Sequence, residues 1–401
     1  MAIASKMRGF VENGSMIRKM FEEGARLKAI HGADKVFDFS LGNPNLPPPA
    51  AFKERLRAVV EADESDLHAY MPNAGLAGTR AAIAAMASAD QGLAIDAAHV
   101  VVTCGAAGAL NIVFKALLDP GDEVLVSSPY FVEYGFIADN HGGVLKSVPA
   151  RADFSLDLDA LEAAMGPRTK IMLVNSPNNP TGRIYDKASI EALGRLLERK
   201  SREAGRAIYL VSDEPYRKIA YDGAEVPSVL ASYESSIVAT SFSKDLSLPG
   251  ERIGFAAVNP AAEDGASLMA ALALANRILG YVNAPSLMQR VVAGLGEACV
   301  DVPQYRRKRD LLALGLRELG YDFRLPEGAF YLFPKSPFAD EGRFVELLKE
   351  ENILVVPGSG FGTPGYYRIA YCVEDRVIEG AMQGFGRAMA KAGELGSAPA
   401  R

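Results

Sequence analysis

Seven short runs rich in Val, Ile and Leu recur between residues 99 and 259, and they limit the possible folds more than any other feature of the chain. They read HVVVTC at 99–104, EVLVSS at 123–128, GVLKSV at 143–148, KIMLVN at 170–175, AIYLVSD at 207–213, IVATSF at 237–242 and GFAAVN at 254–259. Nearly continuous apolar runs of this length form strands covered on both faces. Helical stretches separate them, so the expected fold class is α/β: a large domain with a doubly wound, mostly parallel seven-stranded sheet. Such sheets bind ligands beyond the carboxyl ends of their strands. At 401 residues the chain also exceeds what one hydrophobic core usually supports, and a second, smaller domain is expected.

The polar segments that follow these runs carry the chemistry. IVAT at 237–240 ends in SFSKDLSLPGERIG, which gathers Ser241, Ser243 and Arg252 around Lys244. Two hydroxyls and a guanidinium suit a dianionic phosphate held beside a reactive amine. Neighbouring cations and burial both depress an amine's pKa, which readies it to condense with an aldehyde. VVVTC runs into GAAGALNIVFKALL, where the backbone N–H groups of Gly105, Ala106 and Ala107 open a helix free of bulky side chains. That arrangement binds phosphate well, and it also reads as a plain strand-to-helix turn. Asp213 closes an apolar strand, with Tyr216 three residues on, and SPNNPTG at 176–182 reads as a turn. Each motif alone has an ordinary structural explanation.

Outside the sheet, residues 15–31 place Ile17, Met20, Phe21, Leu27 and Ile30 on one face of an amphipathic helix. VFDFSLGNPNLPPP at 36–49 gives a short strand and then a Gly- and Pro-rich segment containing Gly42. HAYMPNAGLAGTR at 68–80 is a loop entering an Ala-rich helix. After residue 271 the pattern is helical, interrupted at 282–285, then a helix at 301–319, EGAFYLFPK as a strand, a helix at 341–351, ILVVPG, YYRIAYCV and a terminal helix. This is an α+β unit, with 397–401 frayed. The expected division is 1–45 as a helix and segment joining the small domain, 46–285 as the large domain and 286–401 as the small one.

A net charge of -6 without a basic stripe argues against a nucleic-acid surface. Cys104, Cys299 and Cys372 form no C-x-x-C pair, and only four histidines exist, so a metal site or a catalytic cysteine has no recognisable motif. No run approaches the roughly 18 apolar residues a bilayer demands, and a cytoplasmic location without membrane contact is expected.

Taken in order, these segments resemble the class I/II pyridoxal-phosphate-dependent aminotransferases of fold type I, the aspartate aminotransferase-like group. The resemblance implies that Lys244 carries pyridoxal 5'-phosphate, with Ser241, Ser243, Arg252 and the Gly105–Ala106–Ala107 backbone on its phosphate. It implies Phe131 stacked on the ring, with Tyr130 as the alternative, and Asn179 and Tyr216 at the ring's 3′-oxygen. Asp213 would keep the ring nitrogen protonated. Gly42, Asn179 and Arg368 would receive the substrate carboxylate. Tyr70 would reach across a homodimer interface to the partner's phosphate. The reaction so implied moves an amino group between an L-amino acid and a 2-oxo acid such as 2-oxoglutarate, by a ping-pong mechanism. Aspartate is the lead substrate, with aromatic or neutral amino acids behind it. Arg277 falls one residue off the position, Ile278, where aspartate-specific relatives often place a second arginine. A C–S β-lyase or a decarboxylase of the same fold stays open as an alternative.

Overall fold

The computed structural model describes residues 2–12 and 16–397. All seven apolar runs are strands of one sheet, in the order Val100–Thr103, Gly254–Val258, Ser236–Ser241, Tyr209–Asp213, Thr169–Asn175, Glu123–Ser128 and Val144–Pro149. Only Gly254–Val258 runs antiparallel to its neighbours; the other pairings are parallel. Alternate residues enter different cores, as a pleat requires. Val101, Val124, Val126 and Val211 face the helices Gly105–Leu117 and Gly265–Ile278. On the opposite face, Val100 and Val102 pack with Ile83 and Val291, and Leu125, Met172 and Leu210 pack with Leu193 and Leu197. Covering both faces explains why these strands read as apolar runs rather than alternating ones.

A second core joins Phe39 to the helices Val302–Glu318, Glu341–Glu350 and Asp375–Ser397. There an antiparallel sheet places Tyr367–Ala370 between Val356–Pro357 and Tyr331–Leu332, and Phe37–Asp38 pairs in parallel with Ile353–Leu354. The helix Ser286–Val292 belongs to the core of the large sheet, through Met288, Val291 and Val292, and after it the chain rejoins the second core at Cys299 and Val300.

Two expectations shift. EGAFYLFPK is strand only at Tyr331–Leu332, because Ala329 sits at φ 56 and breaks the extension. The amino-terminal helix spans Met16–His31, but Ile30 is 59% exposed rather than buried. Leu27 packs on Val36 and Leu354, and Met16 and Met20 on the cluster of Val356 and Phe361, so Ile30 lies past the helix's packed face. Ser15, the side chains of Ile17 and Phe21, and residues 398–401 lie outside the described residues. Among the described residues no helix is long and apolar enough to cross a membrane.

Candidate active site

Strand ends and loops from both cores converge on one cavity of about 780 Å³, a size typical of small-molecule sites. Gly42, Ala106, Ala107, Phe131, Asn179, Asp213, Tyr216, Ser241, Ser243, Lys244, Arg252 and Arg368 all line it. Their sequence positions span more than three hundred residues. The parallel strands explain the convergence, since Asn175, Asp213 and Ser241 end three of them at the same edge.

Lys244 stands in the loop after Ser236–Ser241, and its Nζ donates to the Gly42 carbonyl at 2.7 Å. Tyr216 and Phe330 present rings to it at 5.9 and 5.6 Å. Burial pulls the amine down to about 8; Arg368 and Arg252 push the same way, and Cys372 pushes against them. The neutral amine is the nucleophile, so its population rises with pH and saturates above the pKa. The rate at which the cofactor-free protein captures an aromatic aldehyde should therefore climb up to about tenfold per pH unit below 8 and level off above it. Stopped-flow absorbance across that range checks this; a climb continuing to pH 10 would contradict it. Gly42 has no substitute here, because a Cβ would lie 2.1 Å from the Tyr331 hydroxyl oxygen.

At the other end of the cavity, the helix Gly105–Leu117 begins two residues after its strand, and Cys104 gives it no side-chain cap. Its first N–H groups are left to a ligand. Gly105 takes φ +75, and a Cβ there would come within 3.0 Å of the Arg252 guanidinium. Arg252 itself is left-handed, at φ 51, and its Nη1 donates to the Pro249 carbonyl at 2.9 Å. Ser241 and Ser243 complete the ring of donors, joined by a 3.4 Å contact from the Ser243 amide to Ser241 Oγ. A guanidinium, two hydroxyls and an uncapped helix start converge there, which suits an anion.

Between the two ends lies Asp213. The Tyr134 hydroxyl donates to its Oδ2 at 2.6 Å, and Asn175 Nδ2 donates to its backbone carbonyl at 2.8 Å. Its other oxygen, Oδ1, is buried and has no partner. Burial pushes the carboxyl up to about 7, Tyr134 opposes this, and Glu214 adds to it. A buried carboxylate oxygen without a donor is costly, and a protonated ring nitrogen would supply both the missing hydrogen bond and the opposite charge. Arg368 is 1% exposed; it donates to Asn179 Oδ1 at 3.0 Å and to the Ser40 carbonyl at 2.5 Å, between the rings of Tyr331 and Phe361. Its Nε is also unpaired. Asn179 is fixed by its amide's bond to Asn175 Oδ1 at 2.7 Å. An aldehyde-reactive amine, an anion cradle, an unpaired carboxylate oxygen and a guanidinium in one cavity fit pyridoxal phosphate and an amino acid.

Phe131 lines the cavity, whereas Tyr130 turns away and packs against Gly362. Tyr70 is 94% exposed and lies outside this cavity, on the same surface groove as Tyr281. Arg277 is exposed and also outside it. Sequence reasoning passed over Tyr134, Asn175 and Tyr331. Tyr331 shares a 2.7 Å hydrogen bond with Tyr216. Tyr134 and Tyr331 lie in apolar-aromatic stretches that read as core, and only the depth of Asp213 reveals Tyr134's partner.

A family model described as aminotransferase class I and II matches residues 34–385. The aspartate/prephenate aminotransferase of Thermus thermophilus is 32% identical over 401 residues, covering 96% of this chain and all of that one. An aspartate aminotransferase of Streptomyces avermitilis is 34% identical over 381 residues, covering 89% of this chain and 90% of the relative. Among solved structures, an amino transferase from Eubacterium rectale superposes with a TM-score of 0.94 at 42% identity, covering 98% of this chain and 99% of that one. The Thermus thermophilus aspartate aminotransferase with maleate gives a TM-score of 0.83 at 30% identity, covering 97% of this chain and 100% of its own.

Proposed function

The chain belongs to the class I and II aminotransferases, a pyridoxal-phosphate-dependent family of transferases, and from that premise we propose that its cavity holds pyridoxal phosphate on Lys244 and moves amino groups between an L-amino acid and a 2-oxo acid. The observation that carries the reading is the buried, unpaired Oδ1 of Asp213, in the same cavity as the Lys244 amine. Bound there, the cofactor supplies an aldehyde carbon that accepts amino groups and a ring that withdraws electrons from the substrate's Cα.

The chain's own residues do the rest. Lys244 is the attachment point, and once freed its Nζ is a base that takes the Cα proton and returns it. Asp213, oriented by Tyr134, holds a proton at the ring nitrogen. Ser241, Ser243, Arg252 and the start of Gly105–Leu117 would hold the phosphate, and Phe131, which lines the cavity, would pack beside the ring. Arg368 takes the α-carboxylate with Asn179 beside it, and the Gly42 backbone closes over them. Replacing Arg368 by lysine should lower kcat/KM for every amino acid by roughly a hundredfold, because an ammonium cannot form the paired bonds of a guanidinium. Steady-state kinetics check it, and an unchanged value would contradict the assignment.

The proposed division keeps 1–45 with the small domain but, since Met288, Val291 and Val292 pack with the large sheet, moves the helix Ser286–Val292 from the small domain expected at 286–401 to the large one. A homodimer, with Tyr70 completing the partner's phosphate site, is supported by an uncovered face: Tyr70 at 94%, Leu274 at 54% and Ile278 at 58% exposure. The test of the function is a pair of half-reactions. Amino acids should convert the absorbance of the bound cofactor, and 2-oxo acids should restore it. Pyruvate and ammonia released from a cysteine-type substrate with no acceptor present would mark a β-lyase instead.

A further inference from the structure

We propose that the preferred amino acid carries a side chain ending in a hydrogen-bond donor, amide or ammonium, received by Glu133, and that distal carboxylates are disfavoured. This rests on the aminotransferase reading above and adds the substrate class to it. Three cationic side chains line the cavity, Lys244, Arg252 and Arg368, and each already has a task at the amine, the phosphate or the α-carboxylate. Among the described residues of this chain no fourth cation lines it to meet a second carboxylate. The lining carboxylates are Asp213, committed to Tyr134, and Glu133.

Glu133 opens the helix Glu133–Asn140 and has no hydrogen-bond or ion-pair partner among the described residues. It is half-buried, and burial raises its carboxyl above the usual range with no nearby cation to oppose the shift. The cavity wall shared with it includes the apolar Leu110, Phe136 and Ile137, which suit an alkyl stem, and the uncharged amides of Asn111 and Asn140. A short helix that precedes Met16–His31, Ser5–Glu12, braces that wall: Phe10 meets Phe136 edge-on at 4.9 Å. Lys6, the lysine of that helix, is committed to Asp139 at 2.5 Å. A carboxylate brought against this wall would face Glu133 with no compensating charge, whereas an amide or ammonium would satisfy it. The Thermus thermophilus neighbour was solved with maleate, a dicarboxylate, so the expected difference is one of selectivity within one fold.

The experiment compares isosteres on the loaded enzyme: asparagine against aspartate and glutamine against glutamate, with lysine added and alanine as the reference without a distal group. Half-reaction rates are followed by cofactor absorbance, and maleate binding by calorimetry. The amides should exceed the acids by at least about tenfold in kcat/KM, with maleate binding weakly. Glu133→Gln should shrink that ratio by about tenfold and tighten maleate, a change that mere loss of structure would not produce. If alanine reacts while aspartate outpaces asparagine, and Glu133→Gln leaves the ratio unchanged, this proposal alone is overturned. If Arg277→Ala then removes the preference for aspartate, the exposed arginine of a second copy binds the distal group instead, which overturns it as well. Failure of every amino acid, alanine included, would overturn the aminotransferase reading and this proposal with it.

Discussion

Replacing Lys244 by alanine should lower amino-group transfer by roughly ten-thousand-fold or more, the largest effect any single change in this chain is expected to have. Two roles vanish together. The amine proposed to attach the cofactor is gone, and so is the base proposed for the substrate's Cα proton. The structure argues for both. The amine is buried, drawn down to about 8, and held by a single 2.7 Å bond to a carbonyl that a ligand can displace. The cradle formed by Arg252, Ser241, Ser243 and the Gly105–Leu117 helix does not depend on the lysine, so the variant should still bind the cofactor non-covalently. Spectral titration with pyridoxal phosphate and kcat for any accepted amino acid separate the two roles. A variant that turns over at the parent's rate would contradict both.

Asp213→Asn should follow, with kcat reduced by about a thousandfold while the fold is retained. The side chain keeps its shape, but an amide set against the ring nitrogen carries no charge to hold a proton there. Held there, the cofactor would then be a weaker electron sink for the substrate's Cα. In the cofactor-free chain burial raises this carboxyl to about 7; a cation opposite Oδ1 restores its ionised form. Kinetics with thermal unfolding measured alongside distinguish lost chemistry from lost packing. An asparagine variant with unchanged kcat would remove Asp213 from the reaction.

The sheet was legible because it is buried on both faces. A strand such as Val124–Val126 has no solvent side, so its residue types are apolar throughout, and the polar residue that ends a run, as Asp213 does, stands out. The cavity's lining was legible for the same reason, since Lys244, Asn179 and Arg368, which the structure brings together there, are polar groups in otherwise apolar or turn-rich surroundings. What stayed hidden is what depends on pairing in three dimensions. Tyr134 lies 79 residues from Asp213, and nothing local distinguishes it from a core tyrosine. Tyr331 closes over Gly42 from a segment whose aromatics read only as packing. The shortened strand at Tyr331–Leu332 turns on one left-handed residue, Ala329, which is not a residue type that announces such a turn. The donor preference proposed for Glu133 was likewise invisible, because a glutamate in the first turn of a helix is ordinary until its neighbours are known.

The most direct test of the whole account is reductive trapping. Purified protein loaded with pyridoxal phosphate is reduced with borohydride, digested and mapped by mass spectrometry. The account predicts one phosphopyridoxyl group, on the peptide that carries Lys244, and none in Lys244→Ala. Label on another lysine, or an active protein with Lys244 unmodified after reduction, would contradict it.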